Sequence, residues 1–112
     1  MLGVSVAGLK STIETMYPVQ LVMTDNNNKI QLDLIVVDEQ SRGLGIGTEV
    51  MEMIISYSEF YHKPIELTPS GEFGGKTRKL KKFYKKLGFK KNKNVYSIMH
   101  YSMVRNCTSR YN

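Results

Sequence analysis

The apolar run Leu34-Ile35-Val36-Val37 leads directly into Asp38-Glu39-Gln40-Ser41-Arg42-Gly43-Leu44-Gly45-Ile46-Gly47-Thr48, and an amphipathic pattern follows from about Leu44 to Tyr61. β-Branched residues, then alternating glycines, then helical spacing predict a strand, a glycine loop and a helix. A second apolar segment, Pro64 to Thr68, comes after the helix. Two strands joined through a helix must run parallel, because the crossover returns the chain to the edge where it started. That one feature excludes an all-helical or all-β fold. It also carries chemistry. The first turn of a helix has N–H donors with no partner in the helix, and the aligned peptide dipoles add about half a positive charge there. Glycines leave those donors unshielded. Such a loop suits phosphate, and Arg42 sets a permanent cation beside it.

Spacing separates the known phosphate loops. A Walker loop needs Lys-Ser or Lys-Thr after its last glycine, whereas Gly47 is followed by Thr48-Glu49. The dinucleotide fingerprint G-x-G-x-x-G starts almost at the strand end. Here the spacing is G-x-G-x-G, and five residues, Asp38 to Arg42, intervene after Val37. Glu66, on the next expected strand, stands about where a ribose-binding acid would be and keeps that reading open.

Before the loop, Val6, Leu9, Ile13 and Met16 recur at helical spacing, and Pro18 ends the helix. Glu14 and Tyr17 on that helix are candidates for touching substrate, against a plain packing role. Val19 to Thr24 reads as a strand, Asp25-Asn26-Asn27-Asn28 as a turn, and Lys29 to Val37 as the antiparallel return strand. Strict alternation puts Leu32, Leu34 and Val36 on one face and Gln31, Asp33, Ile35 and Val37 on the other. After the loop, Val50, Ile54, Tyr57 and Tyr61 form a core stripe, and His62 stands at the helix end as a dipole partner. The segment from Pro69 to Lys76 is a glycine-rich loop. Thr77 is the expected N-cap of a last helix with Leu80, Phe83, Tyr84 and Leu87 inward and Gly88 at its end. Val95 to Val104, with His100 as a structural histidine, closes the sheet; Arg105 to Asn112 reads as a tail.

Gln40-Ser41-Arg42-Gly43-Leu44-Gly45-Ile46-Gly47 resembles the acyl-CoA pyrophosphate loop of the GCN5-related N-acetyltransferases, Q/R-x-x-G-x-G/A, with Arg42, Gly45 and Gly47 at its fixed positions. Phe83-Tyr84-Lys85-Lys86-Leu87-Gly88-Phe89 is similar to that family's F/L-Y-x-x-x-G-F signature, in the family's order and at about its separation. The resemblance implies an α+β (α/β) domain over residues 1–105, with a C-terminal tail at 106–112. Its sheet is mixed, mostly antiparallel and twisted, and a splayed central parallel strand pair is flanked by helices. It implies acetyl-CoA as cosubstrate, held by Gln40, Arg42, Gly43, Leu44, Gly45, Ile46, Gly47 and Thr48, by the backbone of Ile35, Val36 and Val37, and by Thr77 and Tyr84. The family often has Asn where Thr77 stands. Tyr84 would face the thioester sulfur and protonate the departing thiolate. Asp33 and Glu66 are candidate bases for the acceptor amine, which must be neutral to attack.

The front of the chain has room for one helix and one strand before the Lys29–Val37 strand, fewer than the family pattern. This implies an open acceptor site for a small-molecule or protein amine, or a homodimer that completes the wall. A single cysteine, Cys107, excludes an internal disulfide and a cysteine metal cluster. No metal is expected. No run of apolar residues is long enough to span a membrane, no secretory signal is evident, and a cytoplasmic setting is expected. Residues 1–72 hold all ten acids and only Lys10, Lys29, Arg42 and Lys63, whereas residues 73–112 hold twelve Lys or Arg and no acid. Two surfaces of opposite sign follow. The lysines have three readings: a solvated face, attraction for the 3′-phosphate of coenzyme A, or nucleic-acid contact. Aromatic residues do not interleave with them as a stacking platform requires, so nucleic acid is disfavoured. The alternative to an enzyme is a binding module of the same fold that uses this basic surface.

Overall fold

The computed structural model describes residues 5–69, 77–93 and 101–108. Helix α1 (Val6–Met16) precedes strands β1 (Val19–Asn26) and β2 (Lys29–Val37). A 3-10 turn (Glu39–Ser41), α2 (Ile46–Tyr61), β3 (Ile65–Leu67), α3 (Thr77–Lys86), β4 (Lys90–Lys91) and β5 (Met103–Arg105) follow. The strands lie in the order β1-β2-β3-β5-β4. Among the described strands only β2 and β3 pair in parallel; the other neighbours are antiparallel.

Local chemistry accounts for the elements. Ser5 caps α1 by accepting from the Gly8 N–H at 3.0 Å. Val6, Leu9 and Ile13 are buried. Glu14 is occupied at both oxygens. One accepts from Lys10 at 2.8 Å and the other from the Leu21 N–H of β1 at 2.9 Å. The Lys10 bond, then the backbone bond, holds the Glu14 carboxyl below its ordinary pKa. Glu14 therefore ties α1 to the outer strand. The hairpin turn is two residues rather than four: Asn27 and Asn28 both have positive φ, 53° and 62°, and β1 runs on to Asn26. Two consecutive left-handed residues match the twist of a hairpin, and asparagine tolerates that conformation.

The alternation expected along β2 fails in its second half. Met23 pairs with Leu32, but Val22 pairs with Leu34. Asp33 has no partner across the ladder and forms a bulge, which reverses the facing of every later residue. Ile30 and Leu32 enter the core, and beyond the bulge it is Ile35 and Val37 that pack against it. Leu34 and Val36, expected to share a face with Leu32, lie on the opposite one.

All three helices contribute to one core with Leu21, Ile30, Leu32, Ile65, Leu67 and Met103 from a single face of the sheet. The other face of β1 is exposed, Val22 to 45%. Helix α2 begins at Ile46, two residues after the expected start, because Gly45 is its cap in the left-handed region (φ 79°). Residues Arg105 to Thr108, expected to open a tail, are instead held against α2. Arg105 bonds Glu59 at 2.6 Å and the Leu87 carbonyl at 2.7 Å, and the Thr108 N–H reaches Glu59 at 3.0 Å. The short strand β4 was absent from the sequence pattern. The expected glycine-rich loop beyond Pro69, the side chain of Thr77 at the start of α3, and the part of the expected last strand from Val95 to His100 lie outside what is described.

Candidate active site

Parallel pairing between β2 and β3 covers only Ile30 with Ile65, Gln31 with Glu66, and Leu32 with Leu67. Strand β2 continues to Val37 while β3 ends at Leu67, so the two part beyond that point. A cleft of about 70 Å³ opens there, lined by Leu32, Asp33, Leu34, Ile35, Leu67, Thr68, Leu80 and Tyr84. The bulge places Asp33 at the mouth of this gap. Helix α3 brings Tyr84 to it from the core side.

Tyr84 is 5% exposed, and its ring packs edge-on against Phe83 and Phe89 at 5.2 and 5.5 Å. Burial raises its pKa, so the phenol is protonated at neutral pH. Nothing among the described residues hydrogen-bonds its hydroxyl. A buried donor without a partner, at the edge of a cleft, is available to a bound molecule.

Asp33 is exposed on the strand but not idle. The Tyr101 hydroxyl donates to its Oδ1 at 2.6 Å. Tyr101 is 6% exposed yet lies outside the contiguous core. Burial and the Asp33 carboxylate push its pKa up to about 12. Sequence reading passed over Tyr101, because strand alternation alone does not say which residue a bulge will face. The Gln31 amide, paired in register with Glu66, donates to that carboxylate at 3.4 Å. Glu66 is 3% exposed and also meets Lys29 at 3.7 Å and Asn92 at 3.4 Å. It does not line the cleft shared by Asp33 and Tyr84.

The glycine loop sits at the far end of β2. Gly43 and Gly45 have φ of 82° and 79°, a conformation that side chains resist. Gly47 differs: it is helical, and a Cβ there would meet nothing within 4 Å. Neither backbone nor packing demands glycine at position 47. Bare space over the first turn of α2 is what an anion approaching the Ile46, Gly47 and Thr48 N–H groups requires. Arg42 folds back so that its Nε donates to the Val37 carbonyl at 3.1 Å, keeping the guanidinium beside the loop. Gln40 lies in the 3-10 turn, and Leu44 is 70% exposed between the glycines. Loop and cleft thus adjoin the same stretch of β2, Leu34 to Val37.

Comparison with known proteins adds the family. The model of the acetyltransferase (GNAT) domain matches residues 15–91. No curated protein matches. Among solved structures, Ard1 from Thermoplasma volcanium superposes with a TM-score of 0.55 at 23% identity, over 81% of this chain and 64% of that one. An acetyltransferase of the GNAT family from Staphylococcus aureus Mu50 gives 0.56 at 23% identity, over 79% and 57%. Naa50 from Arabidopsis thaliana, in complex with the bisubstrate analogue CoA-Ac-MVNAL, gives 0.55 at 18% identity, over 79% and 63%. The chain therefore spans less than two thirds of each of these relatives. The family model covers most of the chain, and on the fold, the glycine loop and the Tyr84 segment together, the chain belongs to the acetyltransferase (GNAT) domain family.

Proposed function

We propose that the protein transfers an acetyl group from acetyl-CoA directly to a primary amine. The observation that carries this reading is the convergence of Asp33 and Tyr84 on one cleft, opened where β2 leaves β3. Acetyl-CoA supplies the acetyl group as an activated thioester. The N–H groups of Ile46, Gly47 and Thr48, with Gln40, Arg42, Gly43, Leu44 and Gly45 around them, receive the diphosphate. The strand backbone at Ile35, Val36 and Val37, without a β3 partner, pairs with the amides of the pantetheine arm. N–H groups of the same stretch stabilise negative charge on the carbonyl oxygen. Thr77 opens α3 beside the arm.

Tyr84 and Asp33 divide the proton work. The phenol of Tyr84, kept neutral by burial, donates to the sulfur as the thiolate leaves. Asp33 holds the acceptor as an ammonium and takes its proton, directly or through water. Tyr101 occupies one Asp33 oxygen and leaves the other for the amine. Glu66 has its own partners and is left out of the proton path. Asp33 is itself exposed on the strand, and the peptide-bearing analogue on Naa50 supports a peptide amine as the class to try first.

Calorimetric titration with acetyl-CoA, beside Gly45→Glu, tests the reading. Binding in the micromolar range by the parent and none by the variant is expected. A folded parent that does not bind acetyl-CoA would sink it. Free-thiol release with the peptide Met-Val-Asn-Ala-Leu, spermidine and a capped lysine as acceptors then tests transfer.

A further inference from the structure

A second cavity, about 420 Å³, lies at the start of β2, away from the glycine loop. Lys29, Lys90, Lys91, Lys93 and Asn106 surround it, with Glu66 among its lining residues. Glu66 is the one carboxylate among its described lining residues, and Lys29 already engages it at 3.7 Å. Lys90, Lys91 and Lys93 form no ion pair with the described residues. On the other side of β4 a cavity of about 310 Å³ shares Lys91 and adds Lys81 and Lys85. Like charges gathered around a concave surface repel one another, and a bound anion relieves the repulsion.

This cluster connects to the amine side of the cleft. Asn92 donates to the Tyr101 carbonyl at 2.9 Å, and Tyr101 in turn donates to Asp33. Lys29 and Asp33 lie on one strand, about 13 Å apart at about 3.3 Å per residue. Coenzyme A is not the anion: its diphosphate site is at the opposite end of β2. Nucleic acid fits poorly, since no aromatic side chain among the described residues lines the cavity for stacking.

We infer that the acceptor is an acidic polypeptide, with its amine at Asp33 and its carboxylates, some four residues along, on the lysines around β4. The inference rests on the acetyl-transfer reading for the position of the amine. Fluorescence anisotropy on the coenzyme A-saturated protein tests it. The probes are a free-amino-terminus decapeptide carrying glutamates from its fourth residue and the same peptide with lysines instead, each labelled at its C-terminus, with single-stranded DNA as competitor. The acidic peptide is expected to bind at least about tenfold more tightly. The preference should vanish in the triple variant Lys90→Glu, Lys91→Glu, Lys93→Glu and in its Gln counterpart, which serves if reversed charge unfolds the chain. Acetyl-CoA affinity should stay unchanged. Equal binding of the two peptides, or a preference that survives both variants, overturns the inference and leaves the acetyl-transfer reading standing. DNA that displaces the acidic peptide at lower concentration assigns the surface to nucleic acid instead. Acidic-peptide binding by a parent that does not bind acetyl-CoA overturns the transfer reading alone.

Discussion

Tyr84 and Tyr101 are both buried and both raised in pKa, yet for different reasons and with different consequences. Desolvation alone acts on Tyr84, and its hydroxyl has no partner among the described residues. Removing that hydroxyl should cost the fold little and the reaction much. Tyr84→Phe is expected to unfold at nearly the parent temperature while kcat falls about 100-fold, the scale of lost acid catalysis; acetyl-CoA affinity, measured by calorimetry, should hold. Tyr101 is raised by burial and then by the carboxylate it bonds. A tyrosine whose folded pKa is about 12, against about 10 unfolded, stabilises the fold fully below pH 10. That contribution is lost as pH rises from 10 to 12. Denaturation curves should show stability falling through that window, and Tyr101→Phe should flatten the fall. At neutral pH the same variant loses a hydrogen bond to a charged group, about 1.5–3 kcal/mol.

The loop–helix junction separates the demands of folding from those of binding. Gly47 is helical and uncrowded, so Gly47→Ala should raise stability by about 0.5–1 kcal/mol. It should also weaken acetyl-CoA, because the new methyl group stands where phosphate approaches. Denaturant melts beside calorimetry give the two signs; a variant that is both more stable and equally tight would mean that nothing docks on that turn. This junction was legible in the sequence, since glycine spacing and a β-branched run are local signals. The bulge at Asp33 was not. Nothing in Gln31-Leu32-Asp33-Leu34-Ile35 marks an inserted residue, because the second half of the strand, Leu34-Ile35-Val36-Val37, is apolar on both faces and either phase reads well there. Pairing with β1 decides it, and pairing is non-local. The place of Glu66 was hidden for the same reason: a parallel register of three pairs puts it beside Gln31 and Lys29, on the face away from the core. The short β4 exists only because β5 lies next to it; Lys-Lys alone has little strand propensity.

Across the whole molecule, strand order turns a division along the chain into a division in space. Strand β1, with α1 packed on it, forms one edge of the sheet; β4, with its lysines, forms the other. Glu49 and Glu52 of α2 face Tyr17 at the end of α1. No helix among the described residues is long and apolar enough to cross a membrane. Stopped-flow association of the acidic peptide should slow by about tenfold between 50 mM and 500 mM salt, while acetyl-CoA binding responds less, since exposed charges are screened over about a Debye length. An equal response of the two would place the same charges in both events. The separation of signs has a further effect that contact geometry does not describe. A body whose β4 edge gathers lysines carries a permanent dipole moment, and in the field of a polyanion it experiences a torque before it touches anything. The protein would turn its β4 edge toward an acidic partner while still diffusing, so that a larger share of encounters begin with the amine-receiving face already presented.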